Sequence, residues 1–387
     1  MKIGFIAPEY PHFKIKQAAG LGTSIGNLVE ALSQQGHTIY LFIYGQEQED
    51  YFVENNIYFY LIGNVSYSFG KWFRYRKHIQ NIVQTVIIKE KLRLIEVPDW
   101  TGISAFMNFT VPIVMRFHGS DRYFCHLEGR KQKLKNKLFE QFAVRGASAY
   151  IAPTTFAGKL TKRLFKISDH KSIETIYHGL QLDDFNNLTP SVFEPKTILY
   201  IGTIIRKKGM LELPHIFKLV KQQVPNAKLI LIGSDAPDIL TGSPSTWELM
   251  KQSFNESELE TIQYLEKVPY SEVQKIIKNA HVCVFPTFAE TFGMVTVEAM
   301  ALQKPVVNSN IGWAKELMED ALSGYLVAPA AHKLYADKIS KLLQDENLCL
   351  SMGESARSFV EEHFDIKKQA IKNIEFYRTI INGDKKN

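Results

Sequence analysis

Cysteine is scarce in this sequence of 387 residues: Cys125, Cys283 and Cys349 are all it has, and they stand far apart. That scarcity excludes a disulfide framework and a thiolate metal cluster, and it fits buried thiols in a reducing, cytoplasmic setting. Long apolar runs are missing as well, and none approaches the ~20 residues that a membrane-spanning helix requires. The first apolar run, Lys2 to Ala7, is too short for a secretory signal, and Pro8 stops it as a buried strand would be stopped. Low-complexity tracts and repeats of solenoid length are also absent. What remains is the composition of a globular protein, 45% hydrophobic and 22% charged. The length exceeds one ordinary core and accommodates two domains.

The net charge of +6 is unevenly placed. Residues 1–189 hold 23 Lys+Arg against 16 Asp+Glu, whereas residues 190–387 hold 23 against 24. The excess of cations in the first half suits a phosphate-bearing partner, and it equally suits a basic solvated surface.

Short apolar runs alternate with amphipathic stretches in that half. The pattern predicts strands at 2–7, 38–44, 57–62, 94–97, 113–117 and 150–152, with helices near 24–35, 73–89, 130–145 and 156–165. A break with little periodicity at 186–196, containing Pro190 and Pro195, reads as an interdomain linker. The alternation restarts with strands at 196–201, 227–232, 281–285 and 305–308 and helices at 210–223, 270–279, 296–302, 333–343 and 365–381. Alternation at this spacing argues for α/β architecture: two doubly wound, Rossmann-like domains with ligands at the carboxyl ends of the strands, facing a central cleft. The expected division is 1–187, 188–365 and a terminal helix, 366–387, packed back on the first domain.

Four segments carry chemistry. In Phe285-Pro286-Thr287-Phe288-Ala289-Glu290-Thr291-Phe292-Gly293-Met294-Val295-Thr296-Val297-Glu298 a buried strand ends at proline, a loop carries Glu290, and Gly293 opens a helix. Amides at a helix start lack intrahelical acceptors and sit at the positive end of the dipole, so they suit a pyrophosphate. Glu290 and Glu298, eight apart, can reach different hydroxyls of one extended ligand; two such acids are also common at a solvated helix start. In Tyr200-Ile201-Gly202-Thr203-Ile204-Ile205-Arg206-Lys207-Lys208-Gly209 a glycine after a strand is followed by three cations, which suit a diphosphate leaving group. Gly20-Leu21-Gly22-Thr23, after Ala19 and before an amphipathic helix, suits a phosphate or sugar held by amides, or a plain turn. His118 follows a strand in Met115-Arg116-Phe117-His118-Gly119-Ser120.

Taken together these segments resemble the retaining GT-B glycosyltransferases of family 4. The glutamate pair with Pro286, Gly293, Ala299, Met300, Pro305, Gly312, Glu316 and Gly324 matches that family's Glu-x7-Glu region. The resemblance implies that Glu290 holds donor-sugar hydroxyls and Glu298 the ribose, while the amides of Gly293, Met294 and Val295 hold phosphate. It also implies a sugar contact for His118 and a diphosphate contact for Lys208, with Arg206 beside it. Gly22 and Gly202 match glycines of the family, Gly233 its glycine turn, and Val268 a loop whose backbone reads the nucleobase. Thr203 departs from the pattern, which has arginine there. Tyr177-His178-Gly179-Leu180-Gln181 departs from an Asn-Gly-Val-Asp stretch and receives no role.

The implied activity is retaining transfer of a sugar from a nucleotide diphosphate sugar to a glycan or lipid-linked acceptor, without a cofactor and with no metal required. A GT-B epimerase or phosphorylase, or a sugar-nucleotide binder without turnover, are the competing readings. Residues 70–78 pack four cations with three aromatics, and 130–137 add five cations. Each Lys or Arg near an anionic bilayer contributes about 1 kcal/mol, and Trp and Tyr favour its interface. The expected partner of these runs is the inner face of a membrane, touched peripherally; nucleic acid is not expected, because the site motifs speak for sugar transfer.

Overall fold

A computed structural model describes residues 1–15 and 20–384. It divides into two compact units, Met1–Gln181 with Asp365–Asn387, and Leu182–Phe364. The break between them comes just ahead of the proline-containing linker.

The first unit runs β1 (Lys2–Ala7), α1 (Gly20–Gln34), β2 (Thr38–Gln46), β3 (Asp50–Glu54), β4 (Ile57–Gly63), α2 (Lys71–Glu90), β5 (Ile95–Pro98), β6 (Ile113–Arg116), α3 (Asp121–Leu127), α4 (Leu134–Gly146), β7 (Ala149–Ala152), α5 (Thr155–Phe165) and β8 (Ile173–Thr175). Its sheet has the order β3-β4-β2-β1-β5-β6-β7-β8, and every pairing is parallel except β3 with β4. The central strands are buried on both faces, as a sheet covered by helices requires, and their buried residues are apolar apart from Glu96 of β5 and Arg116 of β6.

The second unit runs β9 (Thr197–Ile201), α6 (Leu213–Gln223), β10 (Lys228–Ile232), α7 (Thr246–Lys251), α8 (Glu256–Leu259), β11 (Ile262–Leu265), α9 (Tyr270–Asn279), β12 (Val282–Phe285), α10 (Met294–Ala301), β13 (Val306–Ser309), β14 (Tyr325–Val327), α11 (His332–Gln344) and α12 (Glu346–His363). All its strands are parallel, in the order β11-β10-β9-β12-β13-β14.

The last helix, α13 (Ile366–Asp384), belongs to the first unit. Ile366, Ala370, Ile374, Tyr377 and Ile381 form one buried stripe at helical spacing, packed in a core with residues of α1 and β1. A buried polar knot fastens it. Arg116 grips Glu96 through Nε (2.7 Å) and Nη2 (2.9 Å), and Nη2 also donates to Asn373 Oδ1 at 2.5 Å. The Tyr377 hydroxyl donates to Glu96 as well.

Several elements differ from the sequence reading. The helix expected at 130–145 begins only at Leu134, and a separate α3 precedes it, capped by the Ser120 side chain on the Tyr123 amide. Gly129, at φ 65°, breaks the two apart. The strands β3, β8, β11 and β14, short or polar, and the helix α12 are not among the predicted elements.

Candidate active site

Strand order places the ligand crevice of a doubly wound sheet. It opens where neighbouring strands send their connections to opposite faces, at the carboxyl ends. In the second unit that point lies between β9 and β12. Gly202 and the 3₁₀ turn Arg206–Lys208 follow β9, while the Pro286 to Gly293 loop follows β12. The two loops are sewn together. The Lys207 carbonyl accepts from the amides of Phe288 (2.8 Å) and Ala289 (3.3 Å). Gly209 makes the approach possible: at φ 75°, a Cβ on it would lie 1.8 Å from the Pro286 carbonyl oxygen.

This stitching brings Lys208 and Glu290 into a direct ion pair. Both side chains are about four-fifths buried, at 21% and 19% exposure. Gly293, at φ 103°, caps α10, whose first amides belong to Met294 and Val295. One turn on, Glu298 is buried on the same helix, with 5% exposure, and burial pushes its carboxyl up to about 7 despite a hydrogen bond from Tyr270. Gly233 follows β10 and packs on the backbone beside it. A Cβ there would lie 2.0 Å from the Gly202 carbonyl oxygen, and the Gly233 carbonyl accepts from the Tyr264 hydroxyl at 2.9 Å. Val268 sits half-buried between β11 and α9.

Arg206 faces elsewhere. Its Nε and Nη2 lie 2.7 Å from Asp238 Oδ1 and Oδ2, a bidentate pair that ties the turn after β9 to the polar segment after β10. Asp238 also accepts from the Thr241 amide (3.0 Å) and hydroxyl (2.7 Å). With Arg206 as the leading cause, its carboxyl is held well below the usual carboxylate range, so this guanidinium is committed to the scaffold.

In the first unit the reversal of strand order falls between β1 and β5. His118 lies just past β6, and its amide donates to Asp99 Oδ1 at 2.8 Å, just past β5. Its ring stacks on His178, with centroids 5.4 Å apart and planes 11° apart. Burial, then His178, then Arg116 drive His118 well below the ordinary histidine range, so the ring is neutral at physiological pH. Burial likewise takes His178 down to about 3. The glycine segment also has an occupant. Gly20 and Gly22 form the first turn of α1, and the Gly22 amide donates to Glu9 Oε1 at 2.6 Å. A carboxylate of the same chain thus sits where a phosphate or sugar was expected. Ala19 of that motif lies outside the described residues.

The sequence reading missed Glu9, Asp99, Asp238 and Tyr270, and it gave His178 no role. An acid directly after a buried strand, in Val97-Pro98-Asp99, was the available signal for Asp99. Tyr270 had none, because its partner is 28 residues away.

Known proteins identify the class of the chain. Residues 187–359 match the family described as Glycosyl transferases group 1, and residues 18–184 match Glycosyltransferase Family 4. The capsular polysaccharide biosynthesis glycosyltransferase CapM of Staphylococcus aureus is 32% identical over 51% of this chain, a stretch covering 46% of CapM. The N-acetyl-alpha-D-glucosaminyl L-malate synthase of Bacillus anthracis is 25% identical over the full chain and 98% of its own length. Among solved structures, sucrose-phosphate synthase from Thermosynechococcus elongatus superposes with a TM-score of 0.76 at 18% identity, covering 99% of both chains. HepE from Anabaena, solved with UDP and glucose, gives 0.74 at 18% identity over 98% of this chain and 100% of its own. At such identities the structural likeness speaks for the fold, and the family matches to both halves speak for the class. This chain is accordingly a glycosyltransferase of family 4 with the GT-B fold.

Proposed function

We propose that this enzyme transfers a sugar with retention of the donor's α-linkage, to a glycan or lipid-linked acceptor. The observation that carries this reading is the Lys208–Glu290 pair beside the start of α10. It sets a cation suited to a departing diphosphate against a carboxylate suited to sugar hydroxyls, within one crevice of the second unit. On this reading the acceptor hydroxyl attacks C1 from the face the diphosphate leaves. The C1–O bond to phosphate breaks as the new C1–O bond forms, and the acceptor's proton passes to the leaving phosphate oxygen. Lys208 and the amides of Gly293, Met294 and Val295 offset the growing charge on the diphosphate. That is the reason a metal is not needed. Glu298 takes the ribose, Val268 lies by the base, and Gly202 and Gly233 let the turns after β9 and β10 close on each other beside it. Glu290 orients the sugar in this crevice, and the first unit offers the neutral His118 as a hydrogen-bond partner that adds no charge to an oxocarbenium-like centre.

One relative supports a glycan acceptor: CapM is named for capsular polysaccharide biosynthesis. The test pairs a thermal-shift screen of nucleotides and nucleotide sugars with proton NMR of the product anomer. A bound donor at 100 times its Kd stabilises by roughly 2.7 kcal/mol. An inverted product, or turnover that EDTA abolishes, sinks the reading.

A further inference from the structure

Most apolar side chains at the surface of a folded chain stand alone, and a cluster of them has a use. In the first unit, α2 begins with Trp72 and Phe73, which are 55% and 50% exposed. Leu134, Leu138 and Phe142 are exposed too, and their i, i+4, i+8 spacing sets them on one face of α4. Phe106 bridges the two helices. Its ring lies 5.7 Å from that of Phe73 and 4.8 Å from that of Phe142. Lys135 closes the other side, with Nζ 3.2 Å from the Trp72 ring centroid. Phe106 takes φ 64°, a region that bulky side chains avoid, and Lys77 Nζ donates to its carbonyl at 2.6 Å.

A collar of cations surrounds these six side chains. Lys71 and Arg74 stand on α2, Lys131 and Lys133 precede α4, and Lys135 and Lys137 stand on it. Among the described residues none of these six has a carboxylate within ion-pair distance, and the segment from 65 to 80 contains no acid.

We propose that this face is a bilayer-docking surface that inserts Trp72, Phe73, Phe106, Leu134, Leu138 and Phe142 among anionic lipids. Apolar tips within a lysine collar suit an interface where hydrocarbon lies under negative headgroups. A second copy of the chain fits poorly, because a two-fold contact would press two cationic collars together. Nucleic acid leaves Leu134 and Leu138 without a role. The structure also corrects the composition of the surface. Arg76, counted among its cations from sequence, is buried: it donates to the carbonyls of Trp72, Thr101 and Gly102 and lies 4.3 Å over Phe139. The Tyr75 hydroxyl turns inward to accept from the Gly45 amide. No helix among the described residues is long and apolar enough to cross a membrane, so contact through this face is peripheral.

The proposal deepens the reading of a lipid-linked acceptor and rests on it for its purpose, while binding itself is measured without substrate. The full chain is sedimented with phosphatidylcholine vesicles with and without phosphatidylglycerol. It should pellet only with the anionic vesicles and be partly released by salt. Replacing Lys71, Arg74, Lys133 and Lys135 by Gln should weaken partitioning at least about tenfold. Leu134→Ser with Leu138→Ser and Phe142→Ser should weaken it at low and high salt alike. Both variants should keep the wild-type melting temperature and nucleoside diphosphate release with a water-soluble acceptor. Equal supernatant recovery with and without phosphatidylglycerol overturns the proposal, as does a wild-type dimer in light scattering that the triple serine change dissolves. A chain that binds vesicles yet turns over no donor leaves docking intact and removes the catalytic reading instead.

Discussion

The Tyr270 hydroxyl donates a hydrogen bond to Glu298 Oε1 at 2.9 Å. The bond joins the first residue of α9 to the buried carboxylate assigned to the ribose. On that assignment Tyr270 would compete with a donor for Glu298, and the competition would depend on pH. Burial raises Glu298 to about 7, and the tyrosine bond pulls in the opposite direction. The ionised carboxylate would accept from two ribose hydroxyls on this assignment, so nucleotide affinity should rise as pH climbs through about 7. Tyr270→Phe should strengthen nucleotide binding several-fold at alkaline pH and move the midpoint upward. Calorimetric titrations across the neutral range check this, and an unchanged midpoint removes Tyr270 from the donor site.

Glu290→Ala should abolish transfer while nucleotide binding survives, since the assignment places Glu290 on the sugar. Lys208→Ala should reduce kcat/KM for the donor by about a hundredfold or more. Because the two side chains form one pair, their effects should fall short of additive in a double-mutant cycle. Strictly additive losses mean that the pair does not act as a unit.

Arg206→Ala should act first on stability. The change strands Asp238, which is 2% exposed, without its counter-charge. Breaking a wholly buried pair costs about 3–5 kcal/mol, and the partial exposure of Arg206 reduces that to about 1–3 kcal/mol. Since the Asp238 carboxyl is depressed in the folded protein, this stabilisation is present at neutral pH and lost as pH falls through the acid range. Denaturant melts with donor titrations decide the matter: a Kd that rises steeply with stability intact returns Arg206 to the diphosphate.

Asp99 and Glu140 supply a second pH effect, of opposite sign. Burial leads in raising each to about 7, and each feels the other or Asp121 as a further negative charge. Both accept from backbone amides between the end of β6 and the first turn of α3: Asp99 from His118, and Glu140 from Asp121 (2.8 Å) and Arg122 (3.2 Å). The folded state holds protons that the unfolded chain has released above about pH 4–4.5, so their contribution falls as pH rises from there through about 7. Asp99→Asn should flatten the fall in melting temperature between mildly acid and mildly alkaline buffer. A wild-type and a variant curve that run parallel contradict the assignment.

The two-domain α/β class and the positions of the site motifs were open to reading because they rest on local rules. Buried parallel strands print as apolar runs, and glycines and prolines mark the loops at their ends. Residues 285–298 carry strand end, loop acid, capping glycine and helix acid in one stretch, so their order survives any fold. The cationic turn at 206–208 was equally visible, but not its use. Whether Arg206 meets a ligand or Asp238 depends on a residue 32 positions away. Arg76 and Trp72 show the same limit. Both belong to one basic, aromatic run, yet one is buried under the 101–102 turn and the other stands in solvent.

By itself, then, the sequence determined the alternation of strands and helices, the division into two units, and which loops carry charge. Each of these follows from hydrophobic periodicity and backbone stereochemistry within a few residues. Only the tertiary structure decided the partners: Lys208 with Glu290, Tyr270 with Glu298, Glu9 on the Gly22 amide, and Asn373 and Tyr377 on the Glu96–Arg116 pair. A side chain's charge is local, but its neighbours come from strand order and loop closure. Burial then makes those neighbours consequential, because a group taken out of water must find its counter-charge or hydrogen bond within the fold.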